Sequence, residues 1–278
     1  MRGRGVALFL LVLWQPAYAD DVSTRVARIC ELVHEDDTGG HLWRADVDTV
    51  RGLGEPGREA LLRLAAGPAG VSRQYAWRML GGEFKDLRRL PILRSVMESR
   101  TGSAKDRGQA AFWRGSLNDA SLLSGISRLL DNGETGADGV AALGDLNADP
   151  ARALLRDLMK SSLAKGKDER PYRRGALLSA IGRQRDAQMT SLVVQDLERS
   201  KHDDVDDDLA CVTLSQIGTR ASSTAMMVVF GQIQDAYAKR TSALGVLREL
   251  ERQKEALKNS EEAAFIDDTI AQLKPFVR

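Results

Sequence analysis

The sequence predicts an all-α fold, an α-solenoid of about six degenerate helix-turn-helix repeats closed by a C-terminal helical cap. Three observations predict it. Ala and Leu dominate while aromatics are only 5% of the chain, which favours helices over strands. No stretch sustains the alternation of apolar and polar residues that a half-buried strand requires. Most telling is the segment from Arg170 to Leu197. Pro171 is placed to open a helix, and Tyr172, Ala176, Leu177, Ala180 and Ile181 mark one apolar face at helical spacing. Gly182 is read as the stop, and Asp186 as the cap of a second helix faced by Met189, Leu192, Val193 and Leu197. Echoes of this two-helix unit run along most of the chain.

Taken in order, residues 1–19 read as a secretory signal peptide. Arg2 and Arg4 precede the nine-residue apolar run Val6 to Trp14, and Ala17-Tyr18-Ala19 supplies the small-x-small cleavage pattern. Nine residues are too few to span a bilayer as a helix. Cleavage after Ala19 and a periplasmic or secreted location are therefore expected. Residues 20–40 hold an N-terminal capping helix, with Val22, Val26, Ile29 and Val33 on one face.

Repeats are expected over 41–240. Apolar helix ends followed by glycine recur at Leu53-Gly54, Leu80-Gly81, Leu143-Gly144, Ile181-Gly182 and Ile217-Gly218, with Gly115 between the second and third. The intervals are irregular. Second helices follow at Arg58–Ala66, Leu90–Ser99, Ala120–Leu130, Pro150–Ser161, Ala187–Arg199 and Ser222–Tyr237. Asp149-Pro150 joins an N-cap to a proline at the first helical position.

Val71-Ser-Arg-Gln-Tyr-Ala-Trp-Arg-Met-Leu-Gly81 and Arg173-Arg-Gly-Ala-Leu-Leu-Ser-Ala-Ile-Gly182 resemble the first helix of a short HEAT-like repeat of the phycobilisome-lyase type. The resemblance covers about residues 42–237. It implies a solenoid that binds other macromolecules, and it supplies no catalytic residue. The tail, 241–278, reads as a charged helical hairpin cap. Leu244, Leu247, Leu250 and Leu257 lie on its first helix, and Ile266, Ile270 and Leu273 on its second, which Asn259-Ser260 caps and Pro275 ends. A polar outer face is what a terminal cap needs.

Charge and motifs narrow the function. Formal net charge is +1; without residues 1–19 the 40 basic residues become 38 against 39 acids, a net −1. That balance lacks the basic excess of a nucleic-acid binder and disfavours a helical-repeat DNA glycosylase. Cys30 and Cys211 both sit on apolar faces of distant units, so two buried free thiols are expected rather than a disulfide. The acidic run Asp203 to Asp208 lacks the glycine and terminal glutamate of an EF-hand loop, and reads as acid gathered at a helix start. Neither a Gly-x-Ser-x-Gly elbow nor a phosphate-binding glycine loop is present, so no cofactor is expected. Trp77-Arg78 and Trp113-Arg114 occupy matching places, which favours packing between first helices over a stacking surface.

One surface feature stands out. Ala60-Leu-Leu-Arg63, Pro91-Ile-Leu-Arg94 and Ala153-Leu-Leu-Arg156 align, with Ser124 at the matching place in the third unit. Equivalent positions of a solenoid stack in a line, so Arg63, Arg94 and Arg156 form a basic stripe able to meet a protein or peptide with an acidic patch. The competing reading is solvated arginines paired with Glu59, Glu98 and Asp157. The function expected is an exported interaction scaffold. An immunity protein against an exported toxin, and an envelope-acting enzyme using acids such as Glu98 or Asp157, are the alternatives.

Overall fold

A computed structural model of the chain describes residues 22–31, 40–99, 101–164, 174–200, 204–257 and 261–277. The signal segment, Pro171 to Arg173 and the Asn259-Ser260 cap lie outside them. Two compact units divide the chain, Met1–Leu117 and Asn118–Arg278. Among the described residues every regular element is a helix.

In the first unit α1 (22–31) buries Val22, Val26 and Cys30, one residue per turn. It is followed by α2 (Gly40–Gly52), α3 (Gly54–Ala66), α4 (Val71–Arg78), α5 (Leu90–Glu98) and α6 (Ala104–Ser116). The second unit holds α7 (Ile126–Leu130), α8 (Gly136–Asp145), α9 (Asp149–Ala164), α10 (Arg174–Gln184), α11 (Thr190–Ser200), α12 (Asp204–Ile217), α13 (Arg220–Gln232), α14 (Ala236–Leu257) and α15 (Glu261–Leu273). Here α8, α10, α12 and α14 pack side by side in one layer, while α9, α11 and α13 form the second. Leu143, Leu178, Ile181, Leu214 and Leu250 are buried between them. Each contributes roughly 1.5–3 kcal/mol by leaving water.

The repeat register is set by turns, not by the glycines that mark it in the sequence. Lys85, Asn118 and Arg185 take positive φ values of 48°, 57° and 53°, and Gly218 takes 76°. The next residue caps the following helix each time. Asp86, Asp119 and Asp186 accept from the amides of Arg88, Ser121 and Gln188 at 3.0, 3.3 and 3.0 Å, and Thr219 forms a capping box with Ser222. These caps stand 33, 67 and 33 residues apart, a period of 33 in which the long interval is two repeats plus one extra residue. Past each cap, the third and seventh residues are buried: Leu122 and Ile126, Met189 and Val193, Ser222 and Met226.

Several expectations change accordingly. Gly81, Gly144 and Gly182 lie inside their helices: a π-helical turn runs over Met79–Glu83, α8 reaches Asp145 and α10 reaches Gln184. Their role is close approach. A Cβ on Gly144 would stand 2.6 Å from the Cα of Ala180, so the bare backbone lets α8 and α10 touch. The Ala120–Leu130 helix is a 3-10 turn, Ala120–Ser124, followed by α7. The helix expected to reach Tyr237 stops at Gln232, and Tyr237 belongs to α14. Within α14, Leu247 and Leu250 are buried with Ala243 and Val246, whereas Leu244 and Leu257 are exposed. The burial stripe of that helix passes through 243, 246, 250 and 253, and Leu244 falls beside it.

Candidate functional site

Arg63 lies on α3 and Arg94 on α5, both exposed and both in the first unit. Each stands eight residues past the acid of its turn, Glu55 and Asp86. Arg63 donates to the Ser23 hydroxyl at 2.7 Å. Glu59, its expected partner, instead binds Arg88 at 2.7 Å, in a cluster where that guanidinium also meets Glu55 and Asp86. Arg156 belongs to α9 in the second unit and is half-buried. It donates to the Gln188 amide oxygen and lies 3.6 Å from Asp186, so it ties α9 to the next turn rather than to Asp157. Counting from Asp119, the eighth residue is Ser127, not Ser124, and it too is exposed.

A second polar surface was not evident from the sequence. In the second unit Gly144, Asp145, Gly182, Arg183, Arg185 and Gln216 line a groove of about 280 Å³ at the C-terminal ends of α8, α10 and α12. Asp145 is paired with Arg183 at 2.6 Å. Burial raises the Asp145 carboxyl above the usual range, and the Arg183 charge and hydrogen bond only partly oppose it. The same arginine donates to Ser179 Oγ at 2.9 Å and to the Ala141 carbonyl at 3.0 Å. Its neighbour Gln184 donates to the carbonyls of Leu143 and Leu146 at 2.6 and 2.7 Å, closing the end of α8. Arg185 reaches Glu249 of α14 at 3.3 Å, and Glu249 also accepts from Arg252 Nε at 3.0 Å and from Gln253 at 2.8 Å. Arg183, Gln216 and Glu249 are 33 residues apart in succession. That spacing was the available signal, hidden because the glycine-marked intervals are irregular.

Other singled-out residues are structural. Trp77 is fully buried and donates to the Ala65 carbonyl at 3.1 Å. Arg114 is buried beside the Met97 sulfur, and Trp113 is half-buried with the Arg89 guanidinium 5.2 Å from its ring centroid. No stacking surface arises there. Cys30 and Cys211 are buried and free, and burial, with smaller contributions from Asp46 and Glu31, pushes the Cys30 thiol up to about 12. Such a thiol is inert at neutral pH. The side chains of 201–207 lie outside the described residues, as does that of Trp43; among the described residues no metal-binding cluster occurs. Nor is any described helix long and apolar enough to cross a membrane.

The layered helix pairs of the second unit and the capped turn that recurs at 33-residue spacing decide the architecture. The fold is an all-α repeat of paired helices. No family model and no curated protein matches the chain. Among solved structures it is similar to the complex of CpcE and CpcF of phycocyanin lyase from Nostoc sp. PCC7120, at 18% identity and a TM-score of 0.48, over 78% of this chain and 94% of that one. Similarity to human deoxyhypusine hydroxylase in complex with glycerol is lower, 13% identity and a TM-score of 0.34 over 94% and 99% of the two chains. The helix pairs themselves define the fold.

Proposed function

We propose that this chain is an exported interaction scaffold, gripping a protein or peptide with an acidic patch on its second helices. The observation that carries the reading is the shared register of Arg63 and Arg94, exposed eight residues past successive turns. Residues fixed by one backbone period repeat along a face, which suits binding to an extended partner. The acid best placed for chemistry, Asp145, is held by the Arg183 guanidinium, which favours binding over proton transfer. Export is supported by the order of arginines, apolar run and Ala17-Tyr18-Ala19.

Fractionation with mass spectrometry is the test of location: mature protein starting at Asp20 in the envelope or medium is expected, and full-length cytoplasmic protein would sink export. For binding, an R63A/R94A variant is compared with wild type on partner capture from an envelope extract. Capture should fall, most strongly at low salt where exposed charges are least screened, with the circular-dichroism spectrum unchanged. Equal capture by both proteins would reduce the two arginines to a solvated face. Because Arg156 is tied to Asp186 and Gln188, its truncation is scored separately.

A further inference from the structure

We infer that the groove of the second unit is a carboxylate-binding subsite for an acidic side chain or the C-terminus of a peptide, seated between Arg185 and Gln216. The inference rests on the scaffold reading for the class of partner, and on the groove itself for the chemistry. A volume of about 280 Å³ sits near the lower end of ligand cavities. It suits one side chain and its backbone rather than a folded surface. Gly144 and Gly182 form part of the lining, and their missing side chains let Ala180 and the Gln216 amide pack close against the helix ends. Any Cβ on Gly182 would land on the Gln216 amide.

The charges divide unequally between occupied and available groups. Arg183 is saturated by Asp145, Ser179 and the Ala141 carbonyl. Among the described residues the Arg185 side chain bonds only to Glu249, at 3.3 Å, and it is half exposed. Glu249 keeps Arg252 and Gln253 if Arg185 leaves it. Transfer of Arg185 to an incoming carboxylate therefore strands no buried acid, and the fork geometry of guanidinium and carboxylate favours the exchange. Among the described residues the Gln216 carboxamide has no hydrogen-bond partner, so it offers a donor and an acceptor to a peptide backbone. Arg183 and Arg185 against Asp145 give the lining a formal charge of +1, with Glu249 beside it, and release of Arg185 from Glu249 disfavours a basic ligand.

The probes are three hexapeptides: an alanine–glutamate peptide blocked at both ends, its glutamine counterpart, and a blocked-N-terminus polyalanine with a free C-terminal carboxylate. Binding to the full mature chain is read by NMR from the Gln216 side-chain amide and Arg185 Nε–H signals. Because Arg185 has a φ of 53°, Asn is the substitution of choice, since it tolerates the left-handed region. Saturable shifts of both signals by a carboxylate-bearing probe are expected, with the glutamine peptide inactive. Whether the glutamate or the free-terminus peptide binds tells side chain from terminus. Arg185→Asn should raise the dissociation constant roughly tenfold or more, Gln216→Glu should abolish binding, and Arg185→Lys should retain part of it.

Absence of shifts with both carboxylate probes, equal shifts with the glutamine peptide, or full affinity in a folded Arg185→Asn protein would each overturn the proposal. Envelope capture separates this from the scaffold reading. Capture that persists in wild type while no probe enters the groove removes the subsite alone. Probe binding without any capture removes the scaffold reading and leaves the subsite.

Discussion

The turns at Lys85-Asp86 and Arg185-Asp186 stand 100 residues apart, one in each unit, and share their backbone. Each begins with a left-handed residue, and each aspartate accepts from the amide two residues on at 3.0 Å. In both, the third residue after the aspartate is an anchor withdrawn from water. In the second unit that anchor is Met189; in the first it is Arg89, fully buried. The guanidinium is held by the Trp77 carbonyl and, at 3.4 Å, by that of Trp113, whose ring lies over it. Burial pulls its pKa down to about 10, with Asp86 opposing, so it remains charged at neutral pH. Gly81 makes the room, since a Cβ there would strike the guanidinium. The Trp113 carbonyl, in the last turn of α6 where partial negative charge gathers, and the Trp77 carbonyl together stand in for a carboxylate. The backbone turn fixes that the anchor is buried, and its neighbours fix what chemistry the anchor has.

The harshest way to break this comparison is Met189→Arg. The charge would enter a site that has no counterpart of the Gly81 vacancy, because the space beside Gly182 is filled by Gln216. A loss of at least about 3 kcal/mol is expected in urea unfolding, and a near-neutral result would show that the second unit can also accommodate a cation. Next comes Gly81→Ala, expected to cost roughly 1–3 kcal/mol by crowding Arg89. Adding Arg89→Met should recover most of that loss, and a double-mutant cycle without coupling would mean that Gly81 serves something other than the guanidinium.

Removing either cap sharpens the part the turns share. Asp86→Ala and Asp186→Ala should each lower stability by about 1 kcal/mol. Asp86 also has an acid signature. Its hydrogen bond to Arg88 holds its carboxyl below the ordinary value against some desolvation. A carboxyl lowered on folding stabilises above its unfolded pKa and loses that contribution as pH falls through the folded one. Wild type and Asp86→Ala should thus converge in melting temperature below about pH 4, and a gap that stays constant to pH 2 would contradict the assignment.

Arg89→Met alone should be close to neutral, within about 1 kcal/mol, because a well-packed apolar residue of similar length often replaces a buried ion without loss. A large loss would mean that the Trp77 and Trp113 carbonyls depend on the guanidinium. The smallest effect is Arg63→Ala, no more than about 0.5 kcal/mol by thermal denaturation, since the side chain is exposed and its one bond among the described residues is to Ser23.

Composition and helical periodicity alone determined the all-α class, the pairing of helices, the start of α9 at Asp149-Pro150, the cap at Asp186 and the burial of Cys30, Cys211 and Trp77. Those features depend on neighbours within a turn or two, or on simple hydrophobicity, and both are written locally. The repeat period was obscured because apolar-Gly pairs look like helix ends, whereas Gly144 and Gly182 are close-contact points set by residues in the next helix. The buried Arg89 was equally invisible, since its partners Trp77 and Trp113 come from two other helices. Likewise the groove at Arg185 and Gln216 exists only once α8, α10, α12 and α14 stand side by side. Tertiary packing decided these because each needs groups from different helices, 12 to 36 residues apart, to meet within a few ångströms, at separations no local pattern encodes.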